Sequence, residues 1–149
     1  MNPAIRPATE ADLPDVIRIE RESSTAAHWT IGQYAQLLKT GLVLVATEAG
    51  GAIIGFICAT AVGPEWEIEN IVVAGRSRRQ GIAGALLQRL LEQVKAQGGE
   101  VVRLEVRESN QPARTFYEGQ GFGETGRRRH YYRNPDEDAV LYQLRTPEG

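Results

Sequence analysis

The sequence predicts a single mixed α/β domain over residues 1–149, built as a mostly antiparallel sheet flanked by about four helices. Three observations carry this expectation. Apolar residues make up 42% of the 149, enough to bury roughly two-thirds of the unfolded surface in one core. Segments of period two and period 3.6 follow one another in the order β-α-α-β-β-β-α-β-α-β-β. No long linker, low-complexity stretch or internal repeat interrupts them.

Taken in order, AIRPAT (4–9) reads as a short first strand. Thr9 is the expected cap of a helix over 11–23, with Leu13, Val16, Ile17 and Ile19 on its apolar side and Pro14 in the first turn, where a missing N–H matters least. A weaker helix covers 30–39 and stops at Gly41. The run 41–62 holds two apolar, β-rich stretches around Gly50-Gly51, a hairpin signal. WEIENIVVA (66–74) reads as the fourth strand, with Glu67 and Glu69 placed by simple alternation on the face of Ile71 and Val73. In the helix that follows, Ala83, Leu86, Leu87, Leu90, Leu91 and Val94 recur three or four apart, and Gly98-Gly99 ends it. EVVRLEVR (100–107) puts Val102, Leu104 and Val106 on one face and Arg103, Glu105 and Arg107 on the other. A short helix over 109–120, capped by Ser109 or Asn110, precedes two terminal strands, 122–132 and 137–145.

The one cysteine, Cys58, lies in the apolar run AIIGFICATA and reads as core packing; with no partner for a disulfide, a reduced, cytoplasmic setting is expected. No apolar run approaches the ~20 residues of a membrane span, so no membrane association is expected. A formal charge of -2 argues against broad nucleic-acid coating, yet cations cluster at Arg76–Arg79 and Arg127–Arg133, which suggests one small anionic ligand. With His28 and His130 as the only histidines, no metal site is expected.

The stretch RSRRQGIAG (76–84) brings cations and two glycines to a helix start. Unpaired first-turn amides and the positive end of the helix dipole make such a corner an anion cradle, here most suited to a pyrophosphate. A Cβ at Gly81 or Gly84 would hold phosphate oxygens off the amides, or the helix off the sheet. The plainer alternative is a solvated basic turn. A Walker loop is ruled out because the chain has no Gly-Lys pair, and a dinucleotide GxGxxG after the first strand is also absent.

The RxxGxA pattern of Arg78, Gly81 and Ala83, flanked by Arg79, Gln80, Ile82 and Gly84, resembles the signature of the GCN5-related N-acetyltransferases (GNAT), and the order of elements agrees along the whole chain. The resemblance implies the GNAT fold with a splayed central strand pair, acetyl-coenzyme A as co-substrate with its pyrophosphate on residues 78–84, and backbone pairing of its pantetheine arm with Ile71, Val72 and Val73. Further on, LEVRESNQPARTFYEGQGF and RRRHYYRNPDEDAVLYQL resemble the bacterial ribosomal-protein alanine N-acetyltransferases. That likeness implies acetylation of the N-terminal alanine of small-subunit ribosomal protein 18, with Glu105 as base, Tyr117 as acid and Asn110 touching coenzyme A. It also implies an acceptor groove near His28 and Tyr131, with His28 otherwise a loop histidine of no other role; a monomer or weak dimer is expected, though not from this likeness.

These residue types suit the chemistry. An α-amine with pKa near 8 is about one-tenth neutral at pH 7, and a lysine amine only about once in 2,500, a difference of ~3 kcal/mol. A carboxylate is therefore base enough for an α-amine, and a tuned phenol can protonate the leaving thiolate. Each candidate also has a structural alternative: Glu105 as an ion-pair partner of Arg103 or Arg107, Asn110 as a helix cap alone, Tyr117 as packing beside Phe116, and residues 127–132 as a solvated edge strand. Glu69 is a rival base or a contact for a cationic N-terminus. Acetylation of a small amine or a lysine, and a non-catalytic acyl-coenzyme A sensor, are the competing functions.

Overall fold

A computed structural model describes residues 3–23, 26–78 and 81–146. The strands are β1 (Ala4–Pro7), β2 (Gly41–Thr47), β3 (Ile53–Val62), β4 (Glu65–Val73), β5 (Val101–Arg107), β6 (Gly123–Tyr132) and β7 (Glu137–Arg145); the helices are α1 (Leu13–Glu22), α2 (Ile31–Thr40), α3 (Ile82–Ala96) and α4 (Gln111–Gly119). The seven strands form one sheet in the order β1-β2-β3-β4-β5-β7-β6. Every neighbouring pair is antiparallel except β4 and β5.

The helices cover the sheet unequally. Leu13, Val16 and Ile19 of α1 and Tyr34 and Leu37 of α2 pack on Val43, Val45, Phe56, Cys58 and Val72 from β2, β3 and β4. On the opposite face Leu86, Leu87, Leu90 and Val94 of α3, with Tyr117 of α4, pack on Leu44, Ile57, Ile68, Leu104, Val140 and Tyr142. Both faces of β2 and β3 are thus buried, which is why those strands read as apolar runs without clean alternation. The α1–α2 layer stops at β4, and the same face of β5 carries Arg103, Glu105 and Arg107.

Two local features depart from the sequence expectation at the start of α1. The helix begins at Leu13, after a 3₁₀ turn at Glu10–Asp12. Thr9 caps that turn and not α1 itself: its carbonyl accepts the Asp12 amide at 3.0 Å, while its own amide (2.8 Å) and hydroxyl (3.2 Å) donate to the Asp12 carboxylate, which also accepts from Arg6 at 2.7 and 2.9 Å. By contrast, Thr30 caps α2 as its sequence allows, exchanging bonds with Gln33.

The centre of the sheet is where positioning matters. β4 and β5 pair only over Glu65–Val101, Trp66–Val102 and Glu67–Arg103 and then part, the splayed pair that the resemblance implied. Next to the parting, β4 bulges: Cys58 of β3 faces Asn70 and Ala59 faces Ile68, so Glu69 is the residue the ladder skips. The bulge shifts side-chain parity. Trp66 and Ile68 face α3 before it, and Ile71 and Val73 face α3 after it, whereas Asn70 bonds Tyr34 and Val72 packs with α1 and α2. The sequence expectation that Glu67 and Glu69 share a face with Ile71 and Val73 is therefore corrected: the carboxylates and those two apolar side chains lie on opposite faces.

Candidate active site

On the α3 face, a cleft of about 380 Å³ opens beside the parted end of β4. Ile71 and Val73 form its floor, Ser77, Arg78 and Gly81–Gly84 the rim at the start of α3, and Ala113, Phe116 and Tyr117 of α4 the far wall. Gly81 adopts the left-handed region (φ 76°) and its carbonyl accepts the Ala85 amide at 3.1 Å, so Ile82, Ala83 and Gly84 supply the first-turn amides of α3. A Cβ on Gly81 would meet nothing within 4 Å, and one on Gly84 only the Gln120 amide at 3.7 Å. The two glycines thus leave the rim open; Gly84 is not a close helix–sheet contact, which removes that half of the sequence argument. Arg78 is exposed and its Nε donates to the Val73 carbonyl at 3.2 Å, which holds the guanidinium over the end of β4. Its neighbour Arg76 turns away to Glu48 at 3.2 Å. Arg79 and Gln80 lie outside the described residues.

Small side chains, open amides at a helix N-terminus and an overhanging guanidinium fit a pyrophosphate, and the apolar floor and wall fit a thioester arm. Tyr117 fits the end of that arm. It is 5% exposed, wedged edge-on between Phe116 (5.1 Å) and Phe122 (5.5 Å), and burial pushes its phenol pKa well up from the ordinary value. Burial keeps the phenol protonated but weakens it as an acid, the opposite of the tuning toward a thiolate that the chemistry asks for. Asn110 is the cap of α4, its Oδ1 accepting the Ala113 amide at 3.2 Å; Ser109 instead bonds Glu137. Of the sequence candidates, the cleft gathers Ile71, Val73, Arg78, Gly81, Ile82, Ala83, Gly84 and Tyr117, but the side chain of Val72 is buried in the other layer. Ser77, Ala113 and Phe116 also line the cleft and were not singled out from the sequence, where nothing marks them apart from core residues.

The remaining candidates stand on the opposite face. Glu105 lies two residues past the last β4–β5 rung, and its Oε1 pairs with Arg128 Nε at 3.0 Å. Pairing with Arg103 or Arg107 does not occur: Arg103 binds Glu65 at 2.8 Å, and Arg107 donates to the carbonyls of Arg133 and Pro135 at 3.1 Å each. Tyr131 leans onto Glu105 because β6 is irregular between Arg128 and Tyr132; the nearby carboxylate charge, then its hydrogen bond, raises the Tyr131 pKa. Glu69 accepts the Thr60 hydroxyl at 2.8 Å. Glu67 feels Glu69 and Glu105 after partial desolvation, and together these move its pKa up. The arginines of this face are engaged, Arg103 by Glu65, Arg128 by Glu105 and Arg107 by backbone carbonyls, whereas Glu67 and Glu69 have no ion pair among the described residues and so offer their charge to a cation. His28 is exposed in segment 26–30, which hangs over β4 through the Asn70 side chain bonded to the Ala27 carbonyl at 3.0 Å.

Residues 9–122 match the model of the acetyltransferase (GNAT) family. The [ribosomal protein bS18]-alanine N-acetyltransferase of Escherichia coli strain K12 is 33% identical over 135 residues, 89% of this chain and 90% of that one. The crystal structure of the ribosomal-protein-S18-alanine N-acetyltransferase from Escherichia coli superposes with a TM-score of 0.88 at 31% identity, covering 99% of this chain and 96% of the other. The same fold is found in a phosphinothricin acetyltransferase from Sinorhizobium meliloti, solved in complex with AcCoA, at a TM-score of 0.87 and 22% identity over 100% of this chain and 91% of that one.

Proposed function

The chain belongs to the acetyltransferase (GNAT) family, and from that premise we propose that it acetylates the N-terminal α-amine of a protein, with the N-terminal alanine of a small-subunit ribosomal protein as acceptor. One observation supports this above the others. An anion-fitting cleft and a cation-seeking carboxylate face open onto the two sides of the same gap between β4 and β5, with Tyr117 on one side and Glu105 on the other.

Acetyl-coenzyme A would supply the acetyl group as an activated thioester. The first-turn amides of α3 and the Arg78 guanidinium hold its pyrophosphate, and the open backbone edge of β4 past Glu67 receives its arm. Glu67 and Glu69 draw the cationic amine to the gap. Once the ammonium has lost one proton to solvent, Glu105 takes the second as the neutral nitrogen attacks the thioester carbonyl; Arg128, on Oε1, and Tyr131 hold that carboxylate in place. Tyr117 gives its proton to the departing sulfur. Asn110, fixed as a cap through Oδ1, has no partner for its amide nitrogen among the described residues and would donate it to the co-substrate.

The test is release of free thiol from acetyl-coenzyme A in the presence of a peptide beginning Ala-Arg, compared with the same peptide blocked at its amine. Turnover only with the free amine is expected. Turnover with lysine peptides or small amines alone would reassign the acceptor, and no turnover over background would leave a coenzyme A sensor.

A further inference from the structure

The buried polar groups that none of these steps uses gather around Glu20 of α1. This residue is 0% exposed, and its Oε2 accepts both the Trp29 amide, at 3.0 Å, and the Tyr34 hydroxyl. The Tyr34 oxygen in turn accepts from the Asn70 side-chain amide at 3.2 Å, and that same nitrogen donates to the Ala27 carbonyl at 3.0 Å. The Tyr34 ring is fixed by Trp29 (5.6 Å) and, edge-on, by Phe56 (5.8 Å). Glu20 Oε1 is buried with no hydrogen-bond partner among the described residues.

A buried carboxylate with one oxygen unsatisfied is a poor source of stability, since an apolar side chain of similar volume commonly serves as well or better. What the network does supply is geometry. Each of its bonds ends on segment 26–30, on α2 or on Asn70, the residue directly after the bulge at Glu69. We infer that Glu20, Tyr34 and Asn70 are positioning residues that hold segment 26–30, with His28, against the β4 bulge, so forming one wall of the acceptor site while taking no part on the cofactor face. This rests on the acceptor side proposed above.

Tyr34→Phe keeps the ring and removes the central hydroxyl; Glu20→Leu removes the shared acceptor; Glu20→Gln keeps an oxygen in its place. In the first two, KM for the Ala-Arg peptide should rise about tenfold, the scale of one lost hydrogen bond, while KM for acetyl-coenzyme A stays within about twofold. Glu20→Gln should recover most of the peptide KM. Val16→Ala trims the same apolar cluster without touching the network and controls for destabilisation: neither KM should move. Exchange of the Trp29 amide, followed with no substrate present, should quicken about tenfold in Tyr34→Phe. An unchanged peptide KM in Tyr34→Phe, or a rise shared equally by acetyl-coenzyme A, overturns the proposal. A parent enzyme that acetylates no N-terminal peptide sinks the proposed reaction instead, and the Trp29 exchange then decides the positioning role by itself.

Discussion

At the scale of single residues, the proposed reaction divides its proton transfers between Glu105 and Tyr117, on the two faces of the sheet. Glu105→Gln should lower kcat by about 10²–10³ with little change in either KM, because the isosteric amide can still meet Arg128 and Tyr131 but cannot accept a proton. Glu69→Gln should change kcat by less than about tenfold, since Glu69 is engaged by Thr60 and stands at the bulge; equal losses in steady-state assays would move the base to β4. Tyr117→Phe keeps the edge-on packing with Phe116 and Phe122 and should depress kcat by about 10² while melting within a few degrees of the parent. The residues of the anion corner were legible in the sequence because they are contiguous: Arg78, Gly81 and Ala83 meet through local backbone geometry alone. The partner of Glu105 was not, because alternation along β5 offers Arg103 and Arg107, and only the β5-β7-β6 order brings in Arg128.

At the scale of elements, the junction of β1 and α1 makes a prediction separate from the chemistry. Both guanidinium bonds from Arg6, together with those from Thr9, hold the Asp12 carboxyl at a pKa of about 2, and burial opposes them only in part. A carboxyl depressed in the folded state adds stability above its unfolded value, near 4, and loses it as pH falls through the folded one. Asp12→Asn should therefore be less stable than the parent by about 1–2 kcal/mol at pH 7, allowing for the half-exposed Arg6, and urea midpoints of the two should converge between about pH 4 and pH 2. Helices and strands followed their periodicities closely, so β2, β3, α3 and β5 stand within a residue or two of their expected bounds. The bulge did not show by itself. EWEIENIVV alternates only as far as Glu69 and then sets Asn70 beside it, a break that becomes readable as an extra residue once the strand is counted against Cys58 and Ala59 on β3.

For the whole molecule, the two approaches to the gap are separate, so in the proposed reaction co-substrate binding should be independent of the acceptor. Acetyl-coenzyme A alone should stabilise the protein by about 2.7 kcal/mol at a hundred times its Kd, a rise of about 5–10 °C in melting temperature, and an acceptor peptide should alter the Kd by less than about threefold. Calorimetry with and without peptide checks this; strong mutual dependence would mean that the two faces are coupled. The overall topology was readable from element order, since alternating segments of known length allow few arrangements around one sheet. The division of labour between the faces was not, because it depends on the skipped residue in β4. Position 69 accordingly obeys a different rule from its neighbours, one of chemistry ahead of length. In-frame loss of that codon would straighten the strand yet leave Ile71 and Val73 over the cleft and Asn70 and Val72 beneath α1 and α2, so a deletion there should spare the layering and cost the lineage little beyond the Glu69 carboxylate.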